Sequence, residues 1–377
     1  MLVAKPSALT HEATVAGENL AASTTDTVAD PIWDNFLLGD PHGEYQQSGM
    51  WAALKRVEGW RCSRTVLRVG PKIIGGYQLL WRNFRWGRIG YVSRGPVPAG
   101  ENEQLVDVLV GSLIQSARKL RLTALMVQPP ASSRKIVTRL SPAHFVENRL
   151  LRVDTASLVV DISKGMEAVE AGMRRTTHQQ LRKAARNGVS VREGDECDIP
   201  VFFQLMLETC RRQKTMPNPS SEKALKEIWW ASGMSNRCRL TIAEHNDRPI
   251  SGLFCIAFGK NVVFWKKGSS PQHLRLHAME MLYHEAFEWA HAHGYRQCDF
   301  SALNRQIAEK LLNGVSLSDA HKASRDIFNL GFGGHAVLLP ESYLHFPSPA
   351  ISWAYRAFSS IPTANRYLMR MGSRLRH

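Results

Sequence analysis

Residues 239–302 read RLTIAEHNDRPISGLFCIAFGKNVVFWKKGSSPQHLRLHAMEMLYHEAFEWAHAHGYRQCDFSA. The first half contains three apolar runs separated by turns that carry Asn, Asp or Gly, and this pattern predicts three antiparallel strands. Residues 274–294 then carry apolar side chains at helical spacing, which predicts a long helix, and QCDFSA predicts a strand at its exit. The stretch therefore predicts one α+β unit of three strands, a helix and a fourth strand.

The same order of elements occurs once more, nearer the start of the chain. Three strand-like runs, a long helix and a buried type of strand follow one another at residues 63–70, 75–84, 88–97, 102–120 and 122–130. A repeated unit in a chain of 377 residues indicates two tandem domains rather than one core. We therefore predict an α+β protein in which each domain has a mixed, mostly antiparallel sheet flanked by helices.

Composition divides the chain into four segments. Residues 1–30 are rich in Ala, Thr and Ser without periodicity, which predicts a disordered tail. Domain 1 is expected over residues 31–150 and domain 2 over residues 151–340. Residues 341–377 carry five arginines against one acid, Glu341. For this last segment we predict a basic helix that packs back on domain 1, and the alternative is a helix that contacts a membrane surface.

The bulk composition favours an anionic partner and a reducing compartment. The formal net charge is +15 at pH 7, which attracts nucleic acid, phosphorylated metabolites or an anionic membrane surface. The six cysteines are scattered without metal-ligand spacing, and the N-terminal segment lacks the apolar core of a signal peptide. No run reaches the roughly 18 apolar residues of a spanning helix. We therefore expect a cytoplasmic protein without a metal site, with peripheral contact to the inner membrane surface as a further option.

One segment concentrates the positive charge. Residues 174–194 read RRTTHQQLRKAARNGVSVREG and contain six Lys or Arg but one acid. Helical spacing places Arg175, Arg182 and Arg186 on one stripe, with Lys183 beside it, and puts a modest apolar face on the other side. Guanidinium groups pair two phosphate oxygens at once, so the stripe suits a sugar diphosphate or a tRNA backbone. The alternative is an ordinary solvated basic face.

Five short motifs, in this order along the chain, resemble those of a known family. They are QSGMWAALKRVEGW at 47–60, YVSRGPV at 91–97, LRKAARNGVSV at 181–191, CDFSALN at 298–304 and FNLGFGG at 328–334. Together they are similar to motifs of the Fem-type aminoacyltransferases, which are tandem proteins of the GNAT acetyltransferase fold. The basic helix and the CDFSALN strand also resemble the BioF2-like or CelD-like GNAT acetyltransferases, a sister group associated with polysaccharide work.

This resemblance implies a function. Fem-type enzymes attach amino acids to the stem peptide of peptidoglycan precursors, so we expect an acyl- or aminoacyltransferase that forms an amide on an anionic, phosphorylated envelope precursor. The acyl donor would be an aminoacyl-tRNA or an acyl-CoA, and no bound cofactor is expected. The resemblance also implies that Arg94, in SRGPV, and Arg212, in TCRRQK, contact the anionic acceptor.

The chain departs from the family at Asn329. Fem-type proteins usually carry a lysine at this position, near the reaction site. Asn329 can donate a hydrogen bond to a carbonyl oxygen on which negative charge develops, but it supplies no charge of its own. Lys322, on the same segment, and Lys267, in the strand VFWKKGSS, are the candidates that replace the missing cation.

Two further features bear on the chemistry. Asp299 lies where a strand leaves the sheet, so it either takes a proton from the attacking ammonium or caps a turn. The segment SSPQHLRLHAMEM stands where other GNAT enzymes carry the glycine-rich loop that holds the CoA pyrophosphate. Arg275 and His277 occupy the glycine positions, and their side chains would crowd a pyrophosphate. The segment therefore favours an aminoacyl-tRNA or another activated donor over CoA.

Three functions remain open from the sequence. The first is Fem-like transfer to a cell-envelope amine. The second is CoA-dependent acylation of an amino sugar in an exported polysaccharide. The third is a non-catalytic RNA- or membrane-surface-binding protein on a decayed GNAT fold, which the net charge and Asn329 suggest. Turnover with charged tRNA, retention on CoA resin and salt-sensitive RNA binding without turnover distinguish the three.

Overall fold

The computed structural model describes residues 13–15, 18–85, 87–100, 102–148, 153–233, 237–322, 324 and 326–359. The chain divides into two compact units, Met1–Val153 with Pro340–His377, and Asp154–Leu339. These limits lie close to the boundaries that the composition predicts. Among the described residues, no helix has the length and apolar character needed to cross a membrane.

The first unit is built on a mixed sheet. Its strands are β1 (Ala13–Val15), β2 (Glu18–Thr25), β3 (Arg61–Val69), β4 (Lys72–Phe84), β5 (Gly87–Ser93), β6 (Val97–Pro98), β7 (Ala124–Gln128), β8 (Val146–Glu147) and β16 (Tyr343–His345). Their order is β1-β2-β3-β4-β5-β7-β16-β8, with β6 paired to β4, and β5 runs parallel to β7. The helices are α1 (Pro31–Gly39), α2 (Gly49–Val57), α3 (Glu103–Lys119), α4 (Arg134–Leu140) and α13 (Pro349–Ser359).

The long helix α3 supplies much of the core of the first unit. Its residues Leu105, Leu109, Leu113 and Ala117 recur at helical spacing and are buried. The side chain of Asn102 accepts hydrogen bonds from the first backbone amides of the helix, which starts it there. The apolar stripe packs with residues of β3, β4, β5 and β7, so the predicted helix-on-sheet arrangement is present.

The prediction of a disordered tail over residues 1–30 is wrong for its described part beyond residue 17. The segment Glu18–Thr25 forms β2, which pairs antiparallel with β3 and buries Leu20. Arg64, fully buried on β3, donates hydrogen bonds to the carbonyl oxygens of Thr27 and Val28. The small side chains of β2 hide its alternation from pattern analysis, and the strand is recognised only through its pairing with β1 and β3. Residues 1–12 and 16–17 lie outside the described residues.

The C-terminal segment of the first unit begins as a strand. In place of a helix from residue 341, β16 pairs with β7 and β8. Helix α13 follows, and the hydroxyl of its Tyr355 donates a hydrogen bond to the carbonyl oxygen of Glu147. The predicted packing of this segment on domain 1 therefore holds for α13, while residues 360–377 lie outside the described residues.

The second unit repeats the same plan. Its strands are β9 (Ala156–Asp161), β10 (Val189–Gly194), β11 (Cys238–His245), β12 (Arg248–Phe258), β13 (Asn261–Ser269), β14 (Gln297–Ala302) and β15 (His335–Leu338), in the order β10-β11-β12-β13-β14-β9-β15. The helices are α5 (Met166–Gly172), α6 (Arg175–Arg186), α7 (Ile199–Gln213), α8 (Glu222–Ser232), α9 (Ala278–Ala292), α10 (Arg305–Leu312), α11 (Asp319–Lys322) and α12 (Asp326–Leu330).

An aromatic cluster fills the core between the second sheet and α9. Phe264 of β13 contacts Tyr283 and Phe287 of α9, with ring centroids 5.0 and 5.4 Å away. Phe300 of β14 and Phe332 join them, and their ring centroids are 5.6 Å apart. This cluster fixes α9 over the two strands and thereby positions the polar groups at its edge.

Candidate active site

The two units differ in how their parallel strands pair. In the first unit, β5 and β7 stay paired from Ile89–Ala124 to Ser93–Gln128. In the second unit, β13 pairs with β14 only over Asn261–Val263, although β13 continues to Ser269. The two strands of the second unit therefore separate at their carboxyl ends, and this is where open sheets with parallel strands bind ligands. We call the separated part the opening.

Lys267 lies on the part of β13 that lines the opening. A bulge shifts the register between β12 and β13, so that Lys266 pairs with Phe254 and Phe264 pairs with Cys255. The extra residue turns Lys267 to the same face as Phe264, toward α9. Strict alternation along the strand would have placed the two side chains on opposite faces.

The ammonium of Lys267 joins two residues from distant parts of the chain. Its Nζ donates a hydrogen bond to the Tyr283 hydroxyl at 2.8 Å and another to the Asn329 Oδ1 at 3.3 Å. It also lies 5.3 Å from the ring centroid of Tyr283 and 5.5 Å from that of Phe328, within cation–π range. Two of the predicted site residues, Lys267 and Asn329, are thus in direct contact. Tyr283 and Phe328 were missed, because nothing in their helical spacing separates them from ordinary core aromatics.

The loop after α12 joins this group to the basic helix. The carbonyl oxygen of Gly331 accepts hydrogen bonds from the backbone N–H of Arg174 at 2.9 Å and from the Thr177 hydroxyl at 2.8 Å. Gly333 has a φ of +81°, and a Cβ built on it would lie 2.6 Å from the carbonyl oxygen of Gly172. The loop therefore packs its backbone directly against the start of α6, which brings the basic helix to Asn329.

The cations of α6 face away from the protein. Thr177 and Ala184 are buried on the inner side, as the apolar face predicts. The side chains of Arg175, Arg182, Lys183 and Arg186 are exposed. No ion pair within the described part of the chain neutralises any of these four. The helix therefore presents an uncompensated cationic face, and its role in binding phosphate stays a prediction.

Asp299 lies at the start of the opening, opposite Val263, but on the other face of the sheet from Lys267. It alternates along β14 with Cys298 and Phe300, which face the core under α9, so its carboxylate projects from the other side of the sheet. There it accepts a hydrogen bond from the Ser157 hydroxyl and another, at 2.6 Å, from the backbone N–H of Ser301. The geometry is that of a turn-capping carboxylate, and it does not bring Asp299 together with Lys267.

Arg212 and Lys322 lie on other elements of the second unit than Lys267 does. Arg212 is exposed at the end of α7, one turn after Thr209, whose hydroxyl accepts a hydrogen bond from the backbone N–H of Ser269. Lys322 ends α11, and its side chain lies outside the described residues.

Arg94 belongs to the first unit. It follows β5 with a φ of +53°, and its side chain is buried. Its Nε lies 3.5 Å from the Glu44 Oε2, while its buried Nη1 has no hydrogen-bond partner among the described residues.

The start of α9 carries His277 and Glu280 at its first turn. A short 3₁₀ turn, Pro271–Leu276, precedes it, and His277 follows with a φ of +59°. The His277 Nδ1 lies 2.9 Å from the Oε1 of Glu280, an acid buried in the first turn of the helix. A pyrophosphate at this helix end would meet that carboxylate, although helix N-termini ordinarily favour anions. Among the described residues, no group of three His, Cys, Asp or Glu side chains could hold a metal ion.

Comparison with known proteins gives a match in each half of the chain. Residues 29–151 match the FemAB family, and residues 171–306 match an acetyltransferase (GNAT) domain. A lipid II:glycine glycyltransferase of Staphylococcus saprophyticus is 22% identical over 203 residues, which are 49% of this chain and 48% of that protein. Another, of Staphylococcus epidermidis, is 24% identical over 191 residues, 48% of this chain and 46% of that protein. The chain thus spans about half the length of the curated relatives it matches.

A solved structure agrees on the fold. The crystal structure of FemX has a TM-score of 0.73 to this chain at 14% identity, and the match covers 89% of this chain and 99% of FemX. At this identity the likeness concerns the fold alone. The expected α+β architecture of two GNAT-type units and the resemblance to Fem-type proteins are both confirmed. Residues 29–151 thus resemble the FemAB family, residues 171–306 resemble a GNAT acetyltransferase domain, and the fold resembles that of FemX.

Proposed function

We propose that this protein is an aminoacyltransferase that forms an amide on an amine of a phosphorylated cell-envelope precursor. The observation that carries the proposal is the opening in the second unit, where the Lys267 ammonium lies beside Asn329 and next to the basic helix α6. The names of the relatives supply the substrate class, because they are lipid II:glycine glycyltransferases. Lipid II is accordingly the acceptor that we propose to test first.

The donor that we propose is an aminoacyl-tRNA rather than an acyl-CoA. The buried Glu280 and its contact with His277 oppose a pyrophosphate at the start of α9. The exposed cations of α6 offer a phosphate-binding face nearby, and a polynucleotide presents many phosphates to such a face. The same face would also suit the diphosphate of the acceptor, so the donor and the acceptor are tested separately.

The proposed reaction is the aminolysis of an ester. A neutral amine nitrogen of the acceptor attacks the carbonyl carbon of the aminoacyl ester, and the π electrons move to the carbonyl oxygen. The tetrahedral oxyanion collapses, the carbon–oxygen bond to the ribose breaks, and the proton lost by the amine ends on the ribose oxygen. Positioning of the two substrates and stabilisation of the oxyanion supply the rate acceleration.

We propose that this reaction takes place at the inner face of the cell membrane. A lipid-linked acceptor is held there, and the net charge of +15 attracts an anionic surface. The protein would act as a peripheral cytoplasmic enzyme.

The test is a direct search for the new amide. The full chain is incubated with lipid II and either glycyl-tRNA or acetyl-CoA, and the products are analysed by mass spectrometry. We expect lipid II to gain the mass of a glycyl residue with glycyl-tRNA and no acetyl product with acetyl-CoA. Salt-sensitive tRNA binding without any product from either donor would contradict the proposal and leave a binding protein.

The second candidate is a CoA-dependent N-acyltransferase that acts on an amino sugar. The match of residues 171–306 to a GNAT acetyltransferase domain favours it. The same assay with an amino-sugar acceptor and acetyl-CoA distinguishes it, since acetylation of that sugar would replace the glycyl product.

A further inference from the structure

Lys267 occupies a position that the resemblance to the family does not assign. It lies four residues beyond Val263, where the pairing of β13 with β14 ends, so its side chain emerges in the opening itself. The bulge after Phe264 turns the side chain toward α9 instead of the opposite face. The fold thus places a cation at the point where the two parallel strands separate.

Two of the side chains that contact the ammonium accept hydrogen bonds from it and carry no charge themselves. The Tyr283 phenol is buried, and burial raises the pKa of that phenol, so the group remains protonated at neutral pH. Asn329 contributes an amide oxygen, and Phe328 contributes a ring face. The two hydrogen bonds and the ring contact fix the direction of the ammonium, as expected of a preorganised hydrogen-bond donor.

We propose that Lys267 is a catalytic residue of the amide-forming step and that Asn329 is a positioning residue that holds its ammonium. The inference rests on the proposed function. When the amine attacks the ester, negative charge grows on the carbonyl oxygen, and the Lys267 ammonium donates a hydrogen bond to that oxygen. The ammonium keeps its proton throughout, so the atoms and charges balance as in the aminolysis described above.

This assignment explains how the chain functions with an uncharged side chain at position 329. The carboxamide oxygen of Asn329 accepts a hydrogen bond from an ammonium. A second lysine at position 329 would instead repel the ammonium of Lys267 across the 3.3 Å that now separates Nζ from Oδ1. The positive charge is thus supplied from β13, and residue 329 orients it.

The first experiment compares three variants in the assay with glycyl-tRNA and lipid II. Lys267→Gln removes the charge, Lys267→Arg keeps it, and Lys266→Gln is the matched control. Lys266 is the preceding residue, but it pairs with Phe254 on the other side of the sheet and lies over the ring of Trp265. We expect Lys267→Gln to lower kcat by about 10²–10³-fold with little change in KM, because one oxyanion donor is worth this much. Lys267→Arg should retain most of kcat, and Lys266→Gln should match the wild type.

The second experiment exchanges the two residues. We expect Asn329→Lys alone to lower kcat, since two ammonium groups would compete for one position. The double variant Lys267→Asn/Asn329→Lys restores a single ammonium at the contact, and its kcat should exceed that of Lys267→Asn by at least about tenfold. This exchange tests whether the positive charge at the contact supports turnover. A purely structural role of either residue would not restore kcat.

The outcomes separate the inference from the function on which it rests. Thermal unfolding of each variant identifies any that fail to fold. If Lys267→Gln fails to fold, the kcat of the exchange variant tests the inference instead. A wild-type protein that forms no amide overturns both the proposed function and this inference. A wild-type protein that turns over while a folded Lys267→Gln variant matches its kcat overturns the inference alone. A fall in kcat for Lys267→Gln without recovery in the folded exchange variant also overturns it, since the residue would then act through packing.

Discussion

At the scale of single residues, the backbone beside the candidate active site packs so closely that some positions have no room for a side chain. Gly333 is the clearest case, because its φ is +81° and an added Cβ would lie 2.6 Å from the carbonyl oxygen of Gly172. No rotation of a side chain can relieve a contact between a Cβ and the backbone. The loop that follows Asn329 and α12 therefore keeps its place against Gly172, at the end of α5, through the absence of a side chain.

We predict that Gly333→Ala destabilises the protein and Gly314→Ala does so less. Gly314 also has a positive φ, +66°, but a Cβ there would meet nothing within 4 Å, so this variant measures backbone strain alone. The added clash at residue 333 should lower the free energy of unfolding by about 1–3 kcal/mol beyond the Gly314→Ala value. Urea unfolding of the two variants measures the difference. Equal midpoints would show that the loop moves freely away from Gly172.

At the scale of elements, the strand β2 contributes more to the sheet of the first unit than its small and polar side chains suggest. It extends the first sheet beside β3 and covers Leu67 and Tyr77 with the partly buried Ala22 and the buried Leu20. Arg64 donates hydrogen bonds to the carbonyl oxygens of Thr27 and Val28. These bonds fix the short segment between β2 and α1. A chain without β2 would expose the edge of β3 and leave Arg64 buried without these two partners.

We predict that deletion of residues 1–29 lowers the thermal unfolding temperature, whereas deletion of residues 1–17 does not. Burial of one leucine contributes about 1.5–3 kcal/mol, and a domain of this size loses about 2–4 °C per kcal/mol, so the longer deletion should cost about 3–12 °C. The shorter deletion keeps β2 and serves as the control. Scanning calorimetry of both truncated proteins measures the two transitions, and an unchanged transition after the longer deletion would mean that β2 adds no stability.

At the scale of the whole molecule, the excess of positive charge is distributed unevenly. The net charge is +15, and α6 exposes four cations that no described acid neutralises. Some other arginines are paired, as Arg192 is with Asp198 at 2.7 Å and with Glu244 at 2.8 Å. Hydrogen bonds to Asp198 and Glu244 accordingly raise the pKa of Arg192. On α6, by contrast, four exposed cations of one helix have no ion pair with a described acid.

We predict that Arg182→Gln/Arg186→Gln weakens tRNA binding and flattens its dependence on salt. Each phosphate contact contributes close to one unit of slope in a plot of log K against log salt, so the slope should fall by up to about two. The control is Lys223→Gln/Arg248→Gln, which removes two other exposed cations of the same unit. Fluorescence anisotropy at several salt concentrations measures both. Equal slopes for the two double variants would show that the cations of α6 are an ordinary solvated surface and do not bind the phosphates of tRNA.

The sequence by itself determined the order of three strands, a long helix and a further strand in each unit, and the repetition of that unit. It also determined which side of α6 is charged. These features follow from local periodicity: apolar residues that recur at two or at 3.6 residues select a strand or a helix and the face that it buries. The motif SSPQHLRLHAMEM favours a donor other than CoA, because the side chains that would crowd a pyrophosphate are adjacent in sequence, and this expectation stays a prediction.

Only the tertiary structure decided which of the candidate residues meet. Lys267 and Asn329 are 62 positions apart, and a bulge after Phe264 determines the face on which Lys267 lies. Asp299 was equally plausible in the sequence, yet its neighbours in β14 turn it to the other side of the sheet. The strand β2 was missed for the same reason, since its partner β3 lies some 40 residues away. Contacts between distant segments depend on register and packing, and no local pattern encodes either of them.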